Sequence, residues 1–148
     1  MIRFIGEYSG KMDDKGRMVL PSAFKSLMSA DEMSLVVRKD IFSDCLELFT
    51  LQEWSRRSDE LKAKLNFLNE EHKAFWRKFM RSQSMLEVDP KTGRITVPRK
   101  MLESIGVIKE VIFAGADHKI EIWAKEKFEG GCISDEAFIA IADRLAKL

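Results

Sequence analysis

Two arginines in matching sequence contexts are the residues of this chain best suited to binding chemistry. Arg17 and Arg94 each follow a glycine and precede a proline by four residues, in Gly-Arg-Met-Val-Leu-Pro and Gly-Arg-Ile-Thr-Val-Pro. A guanidinium is a planar fork of donors that can bind guanine or phosphate through two parallel hydrogen bonds. The repetition puts one such basic turn in each half of the chain, which indicates an internal duplication.

An aspartate and a lysine precede each arginine, and with them form a set of candidate DNA-contacting residues. The lysines would contact phosphates, and the first aspartate would orient its arginine or hold the turn. The set comprises Lys11, Asp13, Lys15, Gly16 and Arg17 in the first copy, and Asp89, Lys91, Gly93 and Arg94 in the second. A second interpretation remains, because Asp-x-Lys-Gly-Arg is also typical of a solvated hairpin turn. The duplication favours the functional interpretation.

Other residues that could support catalysis or bind metals lack the neighbours that such chemistry needs. His72 is expected on a solvated helix face and His118 in a turn, and neither has cysteine, histidine and acidic residues at metal-ligand spacing. Ser22 and Ser26 have no nearby histidine, and neither a nucleophile elbow nor a phosphate-binding glycine loop occurs. We therefore expect no enzyme activity, no metal and no cofactor.

Composition limits both the partners and the size of the core. The 148 residues carry a net charge of +1, which argues against binding polyanions by bulk attraction but allows a local basic patch. Two copies of about 65–80 residues would each bury a thin core, so we expect mutual packing or self-association. Cys45 and Cys132 are expected to be reduced, with Cys45 buried in a strand. We expect no secretory signal and no membrane span, and hence a cytoplasmic protein.

The elements that must position the turns follow the same order in both copies. The first copy is predicted to contain a strand within residues 1–12, a turn at 13–16, a strand at 18–20, a helix at 22–28 and strands at 35–38 and 45–49. The second is predicted to contain a strand at 85–88, a turn at 89–93, a strand at 95–97, a helix at 98–105 and strands at 111–113 and 119–123. Thr50, Asn69 and Ser134 are predicted to cap three further helices.

Two helical segments carry apolar stripes. Between the copies, Phe75 and Phe79 share a helix face with Leu68, so we expect this segment to pack in the core rather than stack on single-stranded nucleic acid. The stripe of the C-terminal helix consists of Phe138, Ile139, Ile141, Ala142 and Leu145.

The opening Gly6-Glu7-Tyr8, the segment from Asp13 to Arg17 and the duplication together resemble the bacterial MraZ family. The Asp-x-x-x-Arg signature of that family is met by Asp13 and Arg17. The second copy departs from it, since one extra residue separates Asp89 from Arg94. The role of Asp89 is therefore open at this point.

The resemblance implies an α+β, mainly β fold with connecting and C-terminal helices. Its core would be two tandem swapped-hairpin modules, related to the double-split β-barrels of AbrB and SpoVT. The implied division is a first module at residues 1–54, connecting helices at 55–82, and a second module with its C-terminal helix at 83–148.

The resemblance also implies a function. A sequence-specific transcription regulator of the division and cell-wall gene cluster would bind short direct repeats of double-stranded DNA upstream of its own gene. It would act at the nucleoid as a ring-like homo-oligomer, through the two turns, and without a membrane partner. An alternative is a ring-forming scaffold that binds protein partners.

Overall fold

The computed structural model describes residues 2–148, so Met1 of the first predicted module lies outside the described residues. Its strands are β1 (Glu7–Lys11), β2 (Arg17–Val19), β3 (Ser34–Lys39), β4 (Leu46–Thr50), β5 (Gln83–Glu87), β6 (Arg94–Thr96), β7 (Glu110–Gly115) and β8 (Ile120–Ala124). Its helices are α1 (Ser22–Lys25), α2 (Leu51–Ala63), α3 (Glu70–Arg81), α4 (Arg99–Ser104), α5 (Lys125–Phe128) and α6 (Asp135–Ala146), with a 3-10 turn at Glu129–Gly131.

The strands of the two copies are interleaved. A six-stranded sheet runs in the order β1-β7-β8-β4-β3-β5, and β2 pairs with β6 in a separate two-stranded ribbon. All pairings are antiparallel. The first strand of each copy thus pairs with the third strand of the other, as β1 with β7 and β5 with β3. The equivalent strands β4 and β8 meet at the centre of the sheet, so the two halves are related by an approximate two-fold axis.

The two copies share one hydrophobic core. Its buried side chains come from both halves of the chain and pack in a single cluster, with Phe4, Leu35 and Leu48 from the first copy and Phe113 and Ile122 from the second. This confirms the expected mutual packing. Cys45 is fully buried, as its apolar neighbours predicted, but it lies immediately before β4 and not within the strand.

The structure confirms the predicted helix starts. The side chain of Thr50 accepts the N–H of Glu53 at 3.2 Å. Asn69 accepts the N–H groups of Glu71 and His72, and Ser134 accepts that of Ala137 at 3.1 Å. Each cap satisfies a backbone donor that has no partner inside its helix. Among residues 2–148, no helix is long and apolar enough to cross a bilayer.

The α+β class is correct, but the expectation of a mainly β chain is wrong. The longest strands have six residues, whereas α2, α3 and α6 have 13, 12 and 12. The short strands suffice because strands from both copies build one sheet. The helix after Pro21 is also shorter than predicted, ending at Lys25.

The predicted core packing of the connecting helices is only partly correct. Phe79 is buried, but Phe75 is 40% exposed and Leu68 is 92% exposed. Leu68 lies between α2 and α3, where the break in the helix removes it from the face that carries Phe79. The stripe on α6 is likewise exposed, with Phe138 and Ile139 each 64% accessible.

Candidate nucleic-acid interface

The two candidate arginines lie on one face of the two-stranded ribbon. The Cα register of β2 and β6 pairs Arg17 with Thr96, Met18 with Ile95 and Val19 with Arg94. Met18 and Ile95 point into the core and are 2% and 1% exposed. Because side chains alternate along a strand, Arg17 and Arg94 share the opposite, outward face. They are diagonal neighbours across the ribbon, a relation that separates residues by roughly 7–8 Å.

Asp13 both holds the first turn and orients Arg17. Its Oδ1 accepts the backbone N–H groups of Lys15 and Arg17, each at 2.9 Å. Its Oδ2 accepts Nε of Arg17 at 2.6 Å. These bonds, led by the backbone N–H of Arg17, lower the pKa of Asp13 to about 2. Asp13 uses Nε of the guanidinium, which leaves the two Nη groups for another acceptor.

The extra residue of the second turn changes how that turn is held. Oδ1 of Asp89 accepts the N–H groups of Lys91 at 2.8 Å and Thr92 at 3.0 Å. The Thr92 hydroxyl in turn accepts the N–H of Arg94 at 3.2 Å. Hydrogen bonds from the backbone, first that of Thr92, lower the pKa of Asp89. Asp89 therefore holds the backbone of its turn, and Thr92 takes the place that Asp13 fills at the N–H of Arg17.

Gly16 and Gly93 join each turn to the other copy. Both have left-handed backbones, with φ of 78° and 75°, which favour glycine. The carbonyl of Gly16 accepts the N–H of Val97 at 2.9 Å, and that of Gly93 accepts the N–H of Leu20 at 2.8 Å. A Cβ on Gly16 would collide with the carbonyl oxygen of Val97. Each turn is thus tied to the end of the ribbon strand from the opposite copy.

Basic side chains from different parts of the sequence collect beside the turns. Lys11 and Lys91, predicted from different copies, line one surface depression together with Lys25. Nζ of Lys25 also lies 3.5 Å from the carbonyl oxygen of Lys91. At the first turn, Arg99 donates to the carbonyl of Asp14. Lys25 and Arg99 were missed by sequence reasoning, although each lies in the helical turn that follows a repeated proline.

Comparison with known proteins identifies the family. A family model described as "MraZ protein, putative antitoxin-like" matches twice in tandem, over residues 3–78 and 79–147. The chain belongs to the MraZ family. The two tandem matches confirm the duplication that the repeated arginine turns indicated.

Three relatives within the MraZ family show how far the similarity extends. A protein of Bacteroides fragilis named Transcriptional regulator MraZ is 39% identical over 148 residues, covering 99% of this chain and 93% of its own. A Bacteroides thetaiotaomicron protein of the same name is 38% identical, covering 98% and 93%. One from Clostridium acetobutylicum is 35% identical, covering 98% of both chains.

A polar cluster away from the ribbon does not fit a metal ion. Asp40, Cys45 and Glu121 each offer one ligand atom within 4.8 Å of the others. The ammonium of Lys119 already lies among them, 4.0 Å from Oδ2 of Asp40 and 3.2 Å from Oε2 of Glu121. Burial, followed by the charges of Glu121 and Asp40, raises the pKa of the Cys45 thiol to about 12. Metals bind the thiolate and not the thiol, so a Cys45 with a raised pKa is a poor ligand. The ammonium of Lys119 already supplies the positive charge in this cluster.

The structure shows what surrounds each of the two histidines of this MraZ-family chain. Nδ1 of His72 accepts the backbone N–H of Asn66 at 2.8 Å, so His72 closes the connection between α2 and α3. It is half-buried rather than fully solvated as predicted. His118 lies in the β7–β8 turn, as predicted, and burial lowers its pKa.

Proposed function

We propose that this chain is a sequence-specific, DNA-binding transcription regulator that reads double-stranded DNA with the β2–β6 ribbon and its two turns. One observation carries the proposal: Arg17 and Arg94 lie on the same outward face of a single ribbon. The name Transcriptional regulator, borne by relatives that match nearly the whole chain, supports the same role.

The ribbon would enter the major groove, which admits a two-stranded β-ribbon. Arg17 and Arg94 would each bind a guanine edge or a phosphate through the fork of the guanidinium. Asp13 would preorganise Arg17 before binding, which reduces the entropy lost on contact. Lys15, Lys91 and Lys11 would contact phosphates and set the register of the ribbon on the duplex.

Weak contacts by one chain would be made strong by assembly. One ribbon offers few phosphate contacts, and the net charge of +1 adds little attraction. A ring-like homo-oligomer would present many ribbons, and DNA carrying direct repeats at matching spacing would bind several of them at once. We place these repeats upstream of the protein's own gene, in the division and cell-wall gene cluster, and the protein at the nucleoid in the cytoplasm.

We also propose that the fold is the swapped-hairpin, double-split barrel of the AbrB and SpoVT type. The pairing of β1 with β7, and of β5 with β3, supports this assignment because each copy lends its first strand to the other. Residues 1–54 and 83–148 are then the two copies, and 55–82 the helices that connect them. On this assignment the copies are not separate folding units.

A mobility-shift titration with the upstream DNA tests the function. The double variant Arg17→Ala, Arg94→Ala should lose about 1–3 kcal/mol of binding free energy per lost base contact. The matched control, Arg56→Ala with Arg144→Ala, removes the same charge away from the ribbon and should bind normally. Unchanged affinity in the ribbon variant would reject the proposal. Failure of the parent protein to bind the upstream DNA would favour the scaffold alternative.

A further inference from the structure

Three lysines from separate elements line one surface depression beside the second turn. Lys11 is the last residue of β1, Lys25 is the last residue of α1, and Lys91 lies in the turn between β5 and β6. The depression has a volume of about 600 Å³. We call these three residues the lysine site. An anion among three ammonium groups would be attracted by all of them and would offset their mutual repulsion.

Lys25 lies along the second turn. It is half-buried, and its Cδ is 3.2 Å from the place that a Cβ on Gly93 would occupy. Its Nζ lies 3.5 Å from the carbonyl oxygen of Lys91. That bond uses one of the three donors of the ammonium group, so donors remain for an anion.

The rest of the depression contains neutral donors and no acid. Its other polar side chains are the hydroxyls of Ser9, Ser22 and Thr92. Among the described residues that line it, none is acidic. Asp89, in the same turn, accepts the backbone N–H groups of Lys91 and Thr92, and Glu110, opposite Lys11 in register, pairs with Lys125 at 3.2 Å. Ammonium and hydroxyl donors without a carboxylate suit a phosphate group, whose oxygens accept several hydrogen bonds.

The equivalent place at the first turn lacks this set of charges. Lys11 and Glu87 both end the first strand of their copy, so an acid replaces the lysine in the second copy. Oε1 of Glu87 accepts the hydroxyl of Ser34 at 2.9 Å. Leu102 follows the repeated proline at the same distance as Lys25, and it is buried. The duplication therefore does not account for the lysine site, which belongs to the second turn alone.

We propose that Lys11, Lys25 and Lys91 together bind a single backbone phosphate of the DNA. The inference rests on the proposed function and deepens it in two respects. It adds Lys25 to the contacting residues, and it assigns the three lysines to one phosphate instead of three. That phosphate would lie beside the turn that carries Arg94 and would fix the position of the ribbon on the duplex.

The salt dependence of a mobility shift with the upstream DNA counts the phosphates. The triple variant Lys11→Met, Lys25→Met, Lys91→Met removes the charges, and methionine keeps an unbranched stem beside Gly93. Its slope of log affinity against log salt should fall by about 1 in total, the loss of one phosphate contact, with the preferred sequence unchanged. The matched control is Lys62→Met, Lys64→Met, Lys147→Met, which removes the same charge at the ends of α2 and α6 and should keep the parental slope.

A single charge reversal gives a second test that leaves most of the site in place. Lys11→Glu puts at position 11 the residue type that the equivalent position 87 carries. Since a carboxylate in the site repels phosphate, this variant alone should lower the slope by about 1. Adding Lys25→Met to it should change the slope little further, because the phosphate contact is already lost.

Inorganic phosphate distinguishes a site for free phosphate from a site for DNA. The phosphorus-31 NMR line of inorganic phosphate should broaden with the parent and with the control triple variant, and broaden less with the lysine-site variant. Such broadening together with a parental DNA slope in the lysine-site variant would mean that free phosphate is the ligand, and would overturn the proposal.

The outcomes with DNA separate this proposal from the proposed function. If the parent fails to bind the upstream DNA, both are wrong. If the parent binds and the folded lysine-site variant keeps the parental slope, only the lysine site is wrong. A fall of about 3 in the slope would assign each lysine to a phosphate of its own and would also reject the shared site. Circular dichroism should show parental folding for every variant.

Discussion

Glu47 and Glu121 lie directly opposite each other across β4 and β8, although both are acidic. They occupy equivalent positions in the two copies, and the approximate two-fold axis brings equivalent positions together at the centre of the sheet. The ammonium of Lys119 lies 2.5 Å from Glu47 and 3.2 Å from Glu121, and Arg38 binds Glu47 at 3.0 Å. Lys119 belongs to the second copy only, so a cation from one copy compensates the negative charges of both glutamates.

Lys119→Met should destabilise the fold by about 3 kcal/mol, because it leaves two facing, largely buried carboxylates without the positive charge of the lysine. Burial lowers the pKa of Lys119, but the hydrogen bond and charge of Glu47 outweigh it and the pKa is raised overall. The contribution of a cation with a raised pKa is complete below its unfolded value and lost only at strongly basic pH. The parent should therefore show no loss from this group between about pH 5 and 9 in urea unfolding.

The matched control is Lys62→Met, which removes a cation from an exposed pair with Asp59. An exposed pair contributes little, so its effect should stay below about 1 kcal/mol. Equal deficits in the two lysine variants would contradict the assigned role of Lys119.

The turn glycines should differ in their sensitivity to a methyl group. Alanine at either Gly16 or Gly93 meets a left-handed backbone, which costs about 1–2 kcal/mol. Gly16→Ala should cost more than Gly93→Ala in urea unfolding. Its Cβ meets a fixed carbonyl, whereas that of Gly93 meets Cδ of the flexible Lys25 at 3.2 Å.

Gly130→Ala is the control for both, because a Cβ there has nothing within 4 Å. It should leave the free energy of unfolding nearly unchanged. If Gly93→Ala lowered the free energy of unfolding more than Gly16→Ala, the close approach to the Val97 carbonyl would not be what makes position 16 sensitive to a Cβ.

The local elements were predictable because their signals lie within a few residues. Thr50, Asn69 and Ser134 cap helices where their own side chains and the following N–H groups determine the outcome. The exchange of β1 onto β7 was expected only through the family resemblance, because it depends on pairings about 100 residues apart. The expectation for Leu68 was wrong because Leu68 lies in the break between α2 and α3 and not on the helix face that carries Phe79.

The candidate site was predictable only in part for the same reason. The arginine turns stood out by repetition, yet nothing local joins Lys11 to Lys91 or Arg99 to the turn of Asp14. Those proximities follow from strand exchange. The role of Asp89 likewise depended on Thr92, whose hydroxyl compensates for the extra residue.

Asp13→Asn should weaken DNA binding more than Asp89→Asn. An asparagine at 13 keeps one acceptor for the turn amides but replaces Oδ2, which holds Nε of Arg17 at 2.6 Å. Asp89 instead accepts backbone N–H groups of Lys91 and Thr92 in its turn. Mobility-shift titrations of the two variants provide the comparison, each being the control of the other. Equal losses would mean that orientation of Arg17 by Asp13 is not used in binding.

Protonation of Asp13 should not weaken DNA binding between about pH 5 and 8. A carboxylate whose folded pKa is lowered contributes above its unfolded value and loses that contribution as pH falls through the folded value, here about 2. Affinity measured from about pH 5 to 8 should therefore be independent of this group. A carbon-13 NMR titration that placed the Asp13 midpoint near its ordinary value would contradict the observed turn geometry.

Lys15→Ala and Lys91→Ala should reduce the salt dependence of DNA binding while leaving the preferred sequence unchanged. Each lost phosphate contact should lower the slope of log affinity against log salt by about 1. Lys64→Ala, at the end of α2 and away from the ribbon, is the matched control. A changed base preference with an unchanged slope would assign base reading to the lysines instead.

The covalent joining of two unequal turns has a consequence for the polarity of any DNA site. A symmetric dimer presents two identical DNA-binding elements and therefore matches palindromic sites. Here one chain supplies both turns, and the turns differ chemically. Arg17 is hydrogen-bonded by the side chain of Asp13, whereas the backbone N–H of Arg94 is bound by the Thr92 hydroxyl. If it binds DNA as proposed, such a ribbon would distinguish the two directions along a duplex. Under the proposed function it is suited to sites that all point the same way, and inverting one site should cost affinity.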